Sequence, residues 1–283
     1  MTSFMVNDGI VKFVSQTLNG IQLIFIRGVF ATLFLLSVAH IMGATPRLGE
    51  ILRGRIALRS ILDTLATLVF LTGLFHLPLA NATAIGMAAP LFLCLLARLF
   101  LHEPMNHAHW IAILGGFGGV LLVVQPQTSG FNAWALMCVI GTFIGSARDL
   151  VTRTVPSTVP SILLTVATAV FVTAVSAPLS LIQGWRPVGL KELALLASAS
   201  VFLAIGFFLL ITSLREGDMS VIAPFRYTAL LSALVIGYLV WGDVPNSLAW
   251  AGIGLLVASG VYLLHSERRR NHAALETAAD QGL

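Results

Sequence analysis

The sequence predicts an all-α polytopic membrane protein with ten transmembrane helices, arranged as two inverted five-helix repeats. Three observations predict it. Of 283 residues, 57% are apolar and only 10% charged, against about 25% charged in an ordinary soluble domain, and the mean hydropathy is +0.93. The apolar runs are about twenty residues long, the length that crosses a bilayer core of about 30 Å as a helix. The chain also registers on itself at a shift of 140 residues. Twelve acidic and sixteen basic residues cannot clothe a water-soluble globule of this size, which excludes soluble enzymes, nucleic-acid-binding proteins and disordered chains. A membrane β-barrel is excluded as well, because its short strands alternate apolar and polar residues.

Ten apolar spans follow in order: 1–15, 20–42, 57–76, 79–101, 107–125, 131–148, 159–182, 192–213, 219–241 and 248–265. The first lacks a basic start and is interrupted by Asp8 and Lys12, so no cleavable signal peptide is expected. The link His76-Leu-Pro-Leu-Ala80 is so tight that the third and fourth spans form an antiparallel hairpin. Asn81 and Thr83 open the fourth span, and Pro90 near its middle removes a backbone hydrogen bond and kinks the helix. The freed carbonyl can line a cavity, and Asn81 suits either cavity lining or helix capping. Gly115–Gly119 and Gly141–Gly145 have the GxxxG spacing that lets helices approach closely. Trp110 and Trp250 suit interfacial anchors, while Cys94 and Cys138 lie inside spans as small core residues. His102, His107 and His109 fit a solvated loop better than a metal site. The charged tail from Glu267 is expected to end disordered.

With the N-terminus in the cytoplasm, eleven arginines, including Arg47, Arg59, Arg148 and Arg153, fall inside, against Lys12, Arg186 and Lys191 outside. That bias sets the orientation with both termini cytoplasmic. The repeat pairs Glu103 with Asp243 and Trp110 with Trp250 at a shift of 140, and Asp8 with Asp149 and Lys12 with Arg153 at 141. Five spans per repeat is odd, so the second half enters the membrane inverted, the pattern of secondary transporters whose site lies between the repeats. Residues 1–126 and 127–266 are the two repeats, and 267–283 the cytoplasmic tail. The sixth span offers eighteen residues before Asp149 where the first offers seven before Asp8. The first helix is thus short by about three turns. A late start or a truncated chain is one explanation, and a natively short helix the other.

Charges inside spans need a reason. Arg226, about seven residues into the ninth span beside Tyr227, suits a ligand for a substrate carboxylate or a cation reaching the headgroups. Ser220 and Tyr227 offer further polar contacts. Asp8 with Lys12 and Asp149 with Arg153 are acid-to-base i,i+4 pairs, and Asp63 is expected to pair with Arg59. Asp8 is also a candidate carrier of a coupling proton. Arg27 reads as the buried partner of an unspecified acid. No HExxH, GxSxG or phosphate-loop motif is present, so no enzyme, ATP-driven pump, metal or other cofactor is expected.

Several segments resemble the drug/metabolite transporter superfamily in its EamA-type ten-helix form. They are Asp8-Gly-Ile-Val-Lys12, Phe25-Ile-Arg-Gly28, His76 to Thr83, Ala89-Pro-Leu-Phe92, Leu101-His-Glu-Pro104, Ala223-Pro-Phe-Arg-Tyr-Thr228 and Trp241-Gly-Asp243. Family members commonly carry Gly-Glu at two helix ends, where this chain has His102-Glu103 and Gly242-Asp243. The resemblance covers essentially the whole chain and is greatest to bacterial amino-acid exporters of the YddG kind. It implies a basket of ten helices around a central cavity, alternating access, and a monomer in the bacterial inner membrane. The implied cargo is a small polar metabolite, first of all an exported amino acid, aromatic ones included; the alternatives are a nucleoside, vitamin or drug carrier and, more remotely, an integral membrane enzyme.

Overall fold

A computed structural model describes residues 1–100, 102, 107–124, 133–216 and 219–280. Side chains are described there except at 108, 109, 124, 214–216, 219–228, 264 and 267–280. Among the described residues the secondary structure is entirely helical: α1 Thr2–Val14, α2 Gly20–Ile41, a 3-10 turn at Thr45–Leu52, α3 Gly54–Leu74, α4 Leu79–Gly86, α5 Ala89–Phe100, α6 His107–Val124, α7 Ala133–Thr154, α8 Ser161–Ile182, α9 Leu190–Glu216, α10 Met219–Trp241 and α11 Ser247–Asp280. Six helical segments, among them Leu79–Phe100 taken together, are long and apolar enough to span a membrane, and shorter apolar helices accompany them. Leu114, Leu181 and Leu239 are exposed on the outside, while Arg59, Asp63 and Asp149 are buried within. That inversion of the soluble pattern suits a lipid solvent.

The fourth span differs from the sequence expectation. Instead of one helix kinked near its middle, it is two helices, and Pro90 stands in the first turn of the second. A proline cannot donate to the carbonyl four residues back, and its ring collides with that carbonyl. The chain therefore tightens before it, with Ala88 N–H bonding the Ile85 carbonyl and Leu91 N–H the Ala88 carbonyl, each at 3.0 Å. Proline is tolerated in a first turn, where no donor is needed. Neither is Asn81 the cap of α4, a place held by Pro78. The tail also departs from expectation, since α11 continues to Asp280. Its sequence from Glu267 to Asp280, rich in Ala, Arg and Glu, holds no Gly or Pro to stop it. The first helix has 13 residues where α7 has 22.

Packing joins helices far apart in sequence: α3 lies on α7, α1 on α9, α2 on α8 and α6 on α11. Glycines set the closest approaches. A Cβ at Gly119 would meet the Gly252 carbonyl at 2.8 Å, and one at Gly252 would meet the Gly119 carbonyl at 2.7 Å. At Gly141 it would meet the Phe70 backbone at 2.9 Å. Both expected GxxxG glycine pairs thus contribute at least one packing contact. In the 3-10 turn, Arg47 forks onto Glu50 at 2.8 and 3.0 Å, and this bond holds the exposed carboxyl below its ordinary range.

Candidate functional site

A cavity of about 280 Å³ lies between the helices, lined from α1, α2, α3, α4, α5, α7, α9 and α10. Its wall is mostly apolar, with Phe4, Phe70 and Phe207 among the lining residues. Charged and amide groups enter it from three helices: Asn7 and Asp8 on α1, Arg27 on α2, and Arg148 and Asp149 on α7. A largely apolar chamber with a few convergent polar groups is the usual form of a small-molecule site.

Arg148 organises one side of this cavity. Its Nη1 donates to Asp63 Oδ1 on α3, while Nε and Nη2 reach Asp149 Oδ1 at 3.0 and 2.8 Å. Asp63 is fully buried. Arg59, 1% exposed, extends the cluster by donating to Thr152 Oγ1 at 2.9 Å, the Leu164 carbonyl at 3.2 Å and Thr168 Oγ1 at 2.5 Å. Side chains from α3 and α7, with receiving groups on α8, therefore form a single polar knot. Multiple charge-assisted bonds of this kind are what buried ions require.

The other side is built differently. Arg27, 3% exposed, donates from Nη1 to Asn7 Oδ1 at 3.2 Å. The same Asn7 amide donates from Nδ2 to Asp8 Oδ1 at 2.8 Å. Arg27 also borders a second small cavity of about 30 Å³, between α2, α3, α8 and α9.

The structure breaks up the three expected i,i+4 pairs. Lys12 points away from Asp8 to the Leu77 carbonyl at 2.7 Å, with Asp243 Oδ2 at 3.5 Å and the Trp241 ring at 4.7 Å. Asp149 takes Arg148, and Arg153 is exposed. Asp63 takes Arg148, and Arg59 donates to hydroxyls and a carbonyl. Lys12, Asp63 and Arg59 are met by groups outside their own helices, because buried charges are aimed inward by packing, whereas Asp149 is met by the adjacent Arg148 of its own helix. Arg59, buried, and Arg148, largely covered, consequently bind groups inside the helix bundle, and they are not loop charges of the kind used to argue orientation.

Of the other expected residues, Thr83 and Pro90 line the cavity, and Thr83 bonds the Leu79 carbonyl at 2.8 Å and Met5 Sδ at 3.4 Å. Asn81 does not line it, and its Oδ1 is buried with no hydrogen-bond partner. The side chains of Ser220, Arg226 and Tyr227 lie outside the described residues. Among the described residues no group of three His, Cys, Asp or Glu could hold a metal ion. Sequence reasoning missed Asn7, Thr142 and the site role of Arg148. Thr142, Gly145 and Asp149 recur at helical spacing on α7, a polar stripe that marks one face.

The comparisons agree with this geometry. The model of the EamA-like transporter family matches residues 4–125 and 132–265. A riboflavin transporter of Rhizobium johnstonii is 29% identical over 75% of this chain and 70% of its own. An S-adenosylmethionine uptake transporter of Rickettsia bellii is 24% identical over 95% and 92%. A pseudopaline exporter of Pseudomonas aeruginosa is 23% identical over 94% and 93%. One solved crystal structure shares the fold with a TM-score of 0.69 at 16% identity, over 95% of this chain and 96% of that one. Matched along nearly its whole length, the chain belongs to the EamA-like transporter family of the drug/metabolite transporter superfamily, and it is a multi-pass membrane transporter of small molecules.

Proposed function

We propose that the chain is a secondary carrier working by alternating access, in which residues 1–126 and 127–266 are inverted repeats that rock about the central cavity. The cavity carries this reading, since both halves line it. The helix neighbours support it as well. Exchanging the halves turns the α3–α7 contact into α9–α1, α2–α9 into α8–α3, and α1–α10 into α7 with α4 and α5, and all of these contacts occur. The contacts α2–α8, α6–α11 and α4–α10 map onto themselves. The two stretches matched by the family model divide the chain at the same place. Such a pseudo-two-fold is what lets each half adopt the other's conformation.

The cargo is a small metabolite that fits a chamber of about 280 Å³, and amino-acid export is one case of this class. The named relatives include uptake carriers and an exporter, so either direction is compatible with the framework. The chain acts as a monomer in the bacterial inner membrane with both termini cytoplasmic, a placement supported by exposed arginines at helix ends, such as Arg53 and Arg153. Arg226 is proposed to reach the cargo from α10. Arg226→Ala is expected to abolish transport while leaving expression intact, and unchanged flux in that variant removes it from the site. The carrier reading is tested by purified protein in proteoliposomes against a panel of amino acids, nucleosides and vitamins, with and without a pH gradient. Accelerated flux of at least one solute is expected, and no flux of any solute under any gradient overturns the reading.

A further inference from the structure

We propose that Arg27 binds an anionic group of the transported solute while Asp8, across the Asn7 amide, binds a cationic one, so the cavity selects solutes that carry both charges. The inference rests on the carrier reading.

The three arginines Arg27, Arg59 and Arg148 are not equally satisfied. Arg148 places three N–H groups on two carboxylates, and Arg59 places bonds on two hydroxyls and a carbonyl. Among the described residues the Arg27 guanidinium makes one hydrogen bond, to Asn7 at 3.2 Å, and its Nε is buried without a partner. A guanidinium carries five donors and is always charged. Leaving such a group buried and short of acceptors is costly. A structure that keeps one at the wall of a cavity holds a standing acceptor site for a carboxylate or phosphate.

Asn7 explains why the nearest acid does not fill that place. Its carbonyl oxygen faces Arg27 and its amide nitrogen faces Asp8. One rigid amide thereby separates the opposite charges, and no ion pair within 4.0 Å joins them among the described residues. Both charges still line the same chamber. A solute with an anionic and a cationic group a few ångströms apart meets both. A simple anion meets Asp8 and Asp149 as repulsion, and a simple cation meets Arg27 and Arg148. The aromatic wall of Phe4, Phe70 and Phe207 receives the rest of the solute.

The test uses matched derivatives of three scaffolds with uncharged side chains: phenylalanine, methionine and leucine, each as the free amino acid, the methyl ester and the N-acetyl acid. Competition against the solute that wild-type proteoliposomes transport gives the relative affinity of each form. The free forms are expected to compete at least about tenfold better than either derivative, the range of a lost charge-assisted bond. Arg27→Gln is expected to erase the discrimination between acid and ester, with Arg27→Lys intermediate. Asp8→Asn is expected to erase that between amine and N-acetyl. Equal or better competition by esters, N-acetyl acids or uncharged solutes in the wild type overturns the assignment, even if the Arg27 variants fail to fold. Retained discrimination in folded Arg27→Gln overturns it too. Absence of transport of every solute instead defeats the carrier reading itself.

Discussion

Asp63 receives Arg148 through one oxygen, while its other oxygen is buried without a hydrogen-bond partner. Removing the charge leaves Arg148 with Asp149 alone. Asp63→Asn is therefore expected to destabilise the protein by about 3 kcal/mol, the low end for breaking a buried pair. The drop should be seen as a lower melting temperature in detergent, and Asp63→Asn combined with Arg148→Gln should recover part of it. The partners in this knot could not be read from the sequence. The i,i+4 rule sees only one helix at a time, and Arg148 meets an acid 85 positions away. What was legible is that Asp8, Arg27 and Asp149 need partners, since charges inside apolar spans are expensive wherever they point. Phe4, Phe70 and Phe207 gave no signal, because an aromatic facing a cavity looks the same in sequence as one facing lipid.

At the scale of elements, span positions were legible because length and hydropathy are properties of single segments. The division of the fourth span was only half legible. Pro90 announced a disruption, but its place in the first turn of α5 follows from the tightened backbone at Ile85–Ala88. Pro90→Ala restores the missing donor and is expected to raise the melting temperature by a degree or more while slowing transport, as the two short helices become one stiffer rod. Equal transport rates in both proteins would show that the break is not used in the cycle. The α6–α11 crossing depends on the absence of side chains. Gly119→Ala places a methyl 2.8 Å from the Gly252 carbonyl, and the expected cost is about 1–3 kcal/mol, measured as a lowered melting temperature with no change in solute preference.

Across the whole molecule, the two ends of α1 have different jobs. Its first residues line the cavity, and Lys12 near its last turn ties α1 to the Leu77 carbonyl between α3 and α4 and to Asp243 after α10. This tie joins the two halves a turn beyond the residues of α1 that line the chamber, and it is expected to close that end. Lys12→Met is expected to open it. In a Thr83→Cys background, thiol modification by an impermeant reagent added on that side should accelerate several-fold, and an unchanged rate would show that the chamber is sealed by other contacts.

The knot of Arg59, Asp63, Arg148 and Asp149 has a mechanical consequence. It rivets α3, from the first half of the sequence, to α7 and α8, from the second. For the two repeats to rock, this knot must open or carry α3 along with α7 and α8. Besides the stretch of chain between the repeats, these bonds hold the two halves to one another. A protein severed at that stretch and co-expressed as two pieces would still be clasped by its charges.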